Sequence, residues 1–450
     1  MRTPAPDSRP VALTIAGSDS GGGAGIQADL ATMAAHGVFG TSAITAVTAQ
    51  NTRGVSSSHV LPTDEIDAQL EAVTDDFAIG AAKTGMLATT DVIETVAEHA
   101  RTFTFPLVVD PVMVATSGDR LLEPDAERAY EELLGRATLA TPNTDEAEVL
   151  TDIAVTDDES AVAAGEAILE TGVDAVLVKG GHLPGETVRD ILVTDGSVRT
   201  FEHPRVGTEA THGSGCTLGS AIAARLAAGD PLETAVEGAT EFLERAVRYY
   251  YDVGEGHGAV NHMVSLRNEA ARERTAEDVQ AVVDRFVEAD VSALVPEVGM
   301  NVVGATPYAD SVAETAAVEG RITRTLSGVQ PNRGVRFGAR VTSLASSSRH
   351  GSSPPTCGSL STAGSTRPSR TRSRPSRGRS PSTTATDSRT RSGRRRTVRW
   401  DGVPGRPSRI ATSPPSPSST AVRSARRRSS NSSRTIRRRS PIERWRSTER

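Results

Sequence analysis

A change of composition at residue 338 limits what this chain can fold. Residues 339–450 contain 28 Ser, 27 Arg and 11 Pro, but only nine Leu, Ile, Val, Met or Phe. Such a segment cannot bury enough apolar surface to offset chain entropy, which predicts a disordered tail over 339–450. The charge breaks at the same point. Residues 1–338 carry 2 Lys and 21 Arg against 52 Asp and Glu, net −29, whereas 339–450 carry 27 Arg against 4 acids, net +23. The formal −6 of the whole chain is therefore a cancellation. Two readings of the tail stay open. Arginine triplets at 394–396, 426–428 and 437–439 would attract nucleic-acid phosphates. A reading-frame slip in a GC-rich gene would also give Ser/Arg/Pro-rich text with an abrupt onset, and nucleic acid is then not a partner.

The first 338 residues are long enough for one large core and a smaller one. No run of about 18 apolar residues occurs, which argues against a membrane-spanning helix. The first ten residues, MRTPAPDSRP, lack an apolar core, so no secretory signal is expected and 1–10 reads as a flexible N-terminus. Cys216 and Cys357 are the two cysteines, too few for a disulfide framework, and a reducing cytoplasm fits. The acidic body resembles proteins of salt-loving organisms, in which salt screens self-repulsion. An ordinary acidic enzyme from a GC-rich genome is the alternative.

From Val11 onward, short apolar runs alternate with helical periodicity. Strands are predicted over 11–16, 41–48, 81–86, 107–110, 139–141 and 175–178, with an antiparallel pair over 188–194 and 198–203. Helices are predicted over 24–35, 63–73, 92–100, 159–170, 217–228 and 232–251. This alternation predicts a largely parallel three-layer α/β sheet with its site at the carboxyl ends of the strands. Residues 254–262, GEGHGAVNH, form a Gly-rich boundary. A helix over 272–288 then opens what reads as a second domain.

The strongest chemical signal is Thr211-His212-Gly213-Ser214-Gly215-Cys216-Thr217, opening a helix. Backbone N–H groups and the helix dipole there form an anion cradle. A cysteine in that first turn is expected to have a depressed pKa; a tight helix entry around a small thiol is the plainer alternative. The run Gly17-Ser18-Asp19-Ser20-Gly21-Gly22-Gly23-Ala24-Gly25 matches neither a P-loop nor a dinucleotide fingerprint, and implies only close backbone approach. Lys83 and Lys179, the two lysines, fall at predicted strands, where a fixed cation suits phosphate neutralisation. Asp29 reads either as a solvated helix residue or as a substrate contact. The strand ends at Asp110-Pro111 and Thr141-Pro142-Asn143-Thr144-Asp145-Glu146 offer carboxylates that suit Mg²⁺ held through water. Helix capping by Asn143 or Asp145 is the competing reading. Together these features point to phosphoryl transfer.

LTIAGSDSGGGAGIQADL, TAVTAQNTRGV, KTGML, DPVM, TPNTDEAEVL, VLVKGGH and THGSGCTLGSAIAA occur in order over residues 11–265. Together they resemble the hydroxymethylpyrimidine/phosphomethylpyrimidine kinases of thiamine biosynthesis, in the ribokinase-like superfamily. The resemblance implies a three-layer α/β domain over 11–265 with a small flap around 41–58. It implies ATP and Mg²⁺, a pyrimidine substrate phosphorylated twice, and a homodimer. Gly17, Asp29 and Gln50 match pyrimidine-holding positions, with Met86 packing nearby. Cys216 matches the catalytic residue, and Gly213, Ser214 and Gly215 the anion hole. Lys179, Thr211 and Asn143 fall to the nucleotide, and Asp110 and Glu146 to the metal.

Residues 269–338 resemble the start of the thiamine-phosphate synthase domain fused to this kinase in archaea. Arg321 is set against a family active-site arginine. The histidine expected shortly after Phe337-Gly338-Ala339 is missing, Thr342 standing in that neighbourhood, so synthase activity is expected to be lost. A pyridoxine-type kinase on the same fold, or a non-catalytic RNA-binding regulator using the basic tail, are the rival functions. The charge imbalance generates a prediction. Dialysis from molar KCl into dilute buffer should unfold the acidic body, seen as loss of helical circular dichroism, and an unchanged spectrum would remove the halophilic reading.

Overall fold

The structure is a computed structural model that describes residues 8–113 and 127–339, with backbone alone at 127 and 128. The expectations for residues 1–7 and for the tail beyond Ala339, with Thr342 and Cys357, lie outside the described residues.

The first lobe begins β1 (Val11–Ser18), α1 (Gly25–Ala35), β2 (Phe39–Asn51), β3 (Gly54–Val60), α2 (Thr63–Asp76), β4 (Ile79–Thr84) and α3 (Thr90–Ala100). It continues with β5 (Leu107–Val109), α4 (Glu127–Leu134), β6 (Leu139–Ala140), α5 (Thr144–Thr151), α6 (Asp158–Leu169) and β7 (Ala175–Val178). It closes with β8 (Thr187–Thr194), β9 (Ser197–Pro204), α7 (Ser214–Ala227) and α8 (Leu232–Arg248). The nine strands form one sheet in the order β3-β2-β1-β4-β5-β6-β7-β8-β9. Neighbours from β2 to β7 run parallel, while β3 pairs antiparallel with β2, and β8 with both β7 and β9.

Strand alternation divides the core. Leu107 and Val109 of β5 pack with side chains of α2, α3, α4 and α6, whereas Val108 between them packs with α7 and α8. Val176 and Val178 of β7 repeat the first choice and Ala175 and Leu177 the second. The result is the expected three-layer, mostly parallel α/β fold. Its strand order reverses at β1, because β2 lies on one side and β4 on the other. A crevice forms at such a switch point.

Three expectations shift. The helix predicted from 217 starts at Ser214, which moves Gly215 and Cys216 into its first turn. The expected flap is largely sheet: Phe39–Ile44 pair in register with β1, the register shifts before Val47, and Ala46–Asn51 pair with β3 at the edge of the same sheet. The short helices α4 and α5 escaped prediction. The capping box of α5, Asn143 with Glu146, realises the capping alternative raised for that loop.

The second lobe holds α9 (Val264–Ala270), α10 (Arg272–Glu288), β10 (Val303–Ala305), β11 (Thr315–Val318), β12 (Ile322–Thr325), β13 (Gly328–Pro331) and β14 (Val335–Phe337). Strands β10, β11 and β14 make an antiparallel sheet, and β12 pairs with β13. Val279 and Val283 of α10 bury against Ala316, Val318 and Ile322, giving this lobe its own small core. The expected boundary near 254–262 is packed against the first lobe: Arg53 pairs with Glu255, and the Gly256 N–H donates to Thr52 Oγ1 at 3.1 Å.

The lobes interlock through α8. Arg245 donates to the Tyr308 carbonyl and to Glu314 Oε1, both at 2.6 Å, and Tyr249 donates to Asp310 at 2.7 Å. Asn268 donates to the same Glu314 oxygen at 2.6 Å. Removing one partner of a part-buried charged network leaves the others desolvated and unpaired. Arg245→Ala should therefore lower unfolding free energy by about 2–3 kcal/mol, read as a lower denaturant midpoint. An unchanged midpoint would show that the interlock adds nothing to stability.

Candidate active site

A cavity of about 660 Å³ opens at the carboxyl ends of the parallel strands. Each strand of the centre contributes residues at or just past its end: Gly17 and Ser18 closing β1, Met86 after β4, Asp110 after β5, Asn143 after β6 and Lys179 after β7. The polar end lies under the flap, where Thr48 and Gln50 join Gly17 and Met86. Gly17 and Met86 touch there: a Cβ on Gly17 would lie 2.4 Å from Met86 Cε and would displace the end of that side chain. The Gln50 N–H donates to Ser20 Oγ at 2.8 Å, tying the flap to the first glycine loop. At the opposite end Val188, Val206, Leu243 and Val247 make an apolar wall between β8–β9 and α8.

Two loops meet between these ends. Gly213 stands at φ +82°, and a Cβ on it would come within 1.8 Å of the Gly23 carbonyl oxygen. Asp19 organises the other side of the contact, accepting from the N–H groups of Gly21 at 2.7 Å, Gly23 at 3.0 Å and Ala24 at 2.8 Å. Its carboxylate also lies 3.0 Å from His212 Nε2. Burial pushes the Asp19 carboxyl up, but the His212 contact and the loop amides outweigh it and hold the group below its ordinary range. The clasp presents the N-terminus of α7, with Ser214, Gly215 and Cys216, to the middle of the cavity. The Ser214 N–H is taken by the Thr211 carbonyl at 3.0 Å, which removes it from the expected anion hole, and the other N–H groups of a helix's first turn suit an anion.

Facing that terminus is a compact charge cluster. Lys179 Nζ lies 2.8 Å from Asp110 Oδ1 and 3.6 Å from Glu146 Oε2. A Cβ on Gly215 would be 3.4 Å from Asp110 Oδ2, so the helix entry abuts the cluster directly. Burial works against the Lys179 charge, but Asp110 and Glu146 raise its pKa well above the ordinary lysine range. Burial, with Asp110 adding to it and Lys179 opposing, pushes Glu146 up to about 7. Among the described residues no group of three or more His, Cys, Asp or Glu side chains converges as a metal cage. Two hard carboxylates on the cavity wall still fit Mg²⁺, which keeps several waters and binds through one or two carboxylates plus substrate phosphates.

Residues 19–261 match the phosphomethylpyrimidine kinase family, and residues 278–345 match the family described as thiamine-phosphate synthase ThiN. The hydroxymethylpyrimidine/phosphomethylpyrimidine kinase of Haemophilus influenzae is 49% identical over 261 residues, which span 57% of this chain and 97% of that protein. The chain belongs to the phosphomethylpyrimidine kinase family. Membership makes it a phosphotransferase. Two solved pyridoxal kinases share the fold of this family member. The Bacillus subtilis enzyme with ADP has 35% identity and a TM-score of 0.54, covering 57% of this chain and 98% of its own. The Staphylococcus aureus enzyme with AMP-PCP and pyridoxal has 31% identity and a TM-score of 0.54, covering 58% and 96%.

Within this kinase the cavity wall gathers Gly17, Gln50, Met86, Asp110, Asn143, Glu146, Lys179 and Thr211, together with Gly213 to Cys216. Asp29 is the exception and a correction. It is fully buried on α1, held by Lys83 and Thr14, and does not reach the cavity wall. Lys83 is buried inside β4 with it, so the expectation of a phosphate-neutralising strand end fails for this lysine and holds in position only for Lys179. The depressed thiol is a second correction: burial pushes Cys216 up to about 11, Lys83 and the Gly25 N–H offsetting only part of this.

Asp19 and His212 went unrecognised as partners because 193 residues separate them in sequence. The acid inside a glycine run was the only available hint. Arg205 was missed as well; it lines the cavity and donates to the carbonyls of Gly181 and Gly185, each at 2.7 Å, holding the loop after Lys179. Because Gly213 has no room for a side chain, Gly213→Ala should give a folded kinase with turnover reduced at least about 100-fold, the scale of losing one preorganised anion donor. Near-normal turnover would show that the two loops can part without consequence.

Proposed function

We propose that this chain transfers the γ-phosphoryl group of ATP to the hydroxymethyl group of a hydroxymethylpyrimidine, then to the phosphate so formed, within thiamine biosynthesis. The observation that carries this reading is the α7 terminus, with Cys216 in its first turn, set between a polar end under the flap and an apolar end against α8. The high identity to the Haemophilus influenzae kinase supports the same substrate. Gln50 and Thr48 would meet the polar pyrimidine ring, with Met86 against its face.

In the first step the substrate hydroxyl oxygen forms a bond to the γ-phosphorus as the bond to the β,γ-bridging oxygen breaks. ADP leaves with that electron pair, and the hydroxyl proton passes to Cys216 as thiolate. Burial keeps the thiol protonated at rest, so the base is scarce but strong. Phosphoryl transfer depends more on positioning and charge neutralisation than on the base, and here the chain is well furnished. The N–H groups of Gly213, Gly215 and Cys216 would receive the developing charge, Lys179 the phosphates, and Thr211 and Asn143 the nucleotide's polar groups. Asp110 and Glu146 would hold Mg²⁺ through water, and the metal when bound supplies further charge neutralisation on the phosphates.

The second lobe adds no synthase step in this reading. Arg321 donates to the Val298 carbonyl, and no histidine stands immediately after Phe337-Gly338-Ala339, the next being His350. Likeness to two pyridoxal kinases favours one alternative substrate, pyridoxal. Purified protein with ATP should phosphorylate the pyrimidine and its monophosphate in preference to pyridoxal, and Cys216→Ala should cut turnover about 10²–10⁴-fold with pyrimidine affinity retained. Preference for pyridoxal would replace the substrate, and normal turnover in the variant would remove Cys216 from the mechanism.

A further inference from the structure

Lys83 is a fully buried lysine in an acidic protein, and neither it nor its partner Asp29 lines the cavity. Its Nζ lies 2.9 Å from both carboxylate oxygens of Asp29, which also accepts from Thr14 Oγ1 at 2.6 Å. A buried pair of this kind is weak evidence for stability, since apolar residues of similar volume often do as well. Its position is more telling. The lysine stem lies along α7: a Cβ on Gly219 would be 3.4 Å from Lys83 Cε. Gly219 is one turn beyond Cys216 on the same helix face, and helical side chains lean toward the N-terminus. The ammonium ends beside Gly85, where a Cβ would be 2.9 Å from Nζ, immediately before the cavity-lining Met86.

We infer that the Lys83–Asp29 pair is a positioning device for Cys216, a fixed cation whose stem packs on α7 one turn from the sulfur and lets it carry negative charge. This rests on the reading of Cys216 as proton acceptor. The groups facing the thiol are mixed in sign, and Lys179 after β7 joins those that favour the thiolate. Lys83 from β4 and the Gly25 N–H favour the thiolate; Asp29 from α1 and Asp110 after β5 oppose it. Lys179 Nζ lies 3.6 Å from where a Cβ on Gly215 would be. Of the charged groups named, Lys83 acts most strongly on the thiol after burial itself. Asp29 aims the Lys83 ammonium through both of its carboxylate oxygens while tempering its effect on the thiol.

The test reads the thiol directly, without ATP or substrate. In a Cys357→Ser background Cys216 is the one remaining cysteine, and its alkylation by iodoacetamide is followed from about pH 7 to 10. A nearby cation lowers a thiol pKa, so Lys83→Met should move the profile to higher pH and slow alkylation at fixed pH by about tenfold or more. Asp29→Asn should move it the other way. Damage to the fold would shift both variants in one direction, which would overturn the inference, as would superimposable profiles. If Lys83→Met does not fold, Asp29→Asn and the double variant differ only by the lysine charge. The double variant should then react about tenfold more slowly, and equal rates would overturn the proposal. Normal turnover in Cys216→Ala would sink the base reading while leaving these rates intact.

Discussion

Gly213 and Gly23 meet backbone to backbone, and the rest of the site depends on that contact. A side chain at either position would force the loops apart: at Gly213 its Cβ would lie 1.8 Å from a carbonyl oxygen, and at Gly23 it would lie 2.5 Å from the His212 ring. The approach sets the start of α7 against the end of β1, so that amide donors, a thiol and the strand-end charges share one cavity. Asp19 secures it by spending its carboxylate on three loop amides and on His212. A dense set of bonds to one buried acid leaves little freedom in the loops that would surround a phosphate.

Charge in the interior is organised on the same economy. The described body is strongly acidic, yet its two lysines are both withdrawn from solvent and matched to carboxylates. Lys83 neutralises Asp29 beneath the floor, and Lys179 stands between Asp110 and Glu146 in the wall. The first pair has no route to a ligand; the second is open to one. Two similar ion pairs thus occupy different roles, set by a few ångströms of depth. The interlock of α8 with the second lobe places a third network behind the apolar wall, since Leu243 and Val247 line the cavity on the helix that Arg245 anchors.

Much of this was legible from residues alone. Short apolar strands and amphipathic helices marked the sheet, because alternation of buried runs with 3.6-residue periodicity is local. Strand ends followed from Asp110-Pro111 and Thr141-Pro142, where proline stops the ladder. Seven ordered motifs pointed to the family, and all but one of the site residues they implied line the cavity. Asp29 was misplaced because the motif cannot say which way a helix residue faces, and here it turns inward to Lys83. The Cys216 thiol was expected to ionise easily because a helix terminus favours anions. Burial reversed the sign, since desolvation of a thiolate outweighs a half-charge dipole and one lysine.

By itself the sequence determined the α/β class, the kinase motifs, and the break in composition near residue 338, all of which are written in neighbouring residues. Tertiary structure decided which of those residues share a surface. It joined Asp19 to His212, buried Lys83 with Asp29, and brought Lys179 between one carboxylate at the end of β5 and another in the first turn of α5. The physical reason is distance. Hydrogen bonds, burial and Coulomb interactions act over a few ångströms of space, and residues far apart along the chain acquire them only when the sheet is assembled.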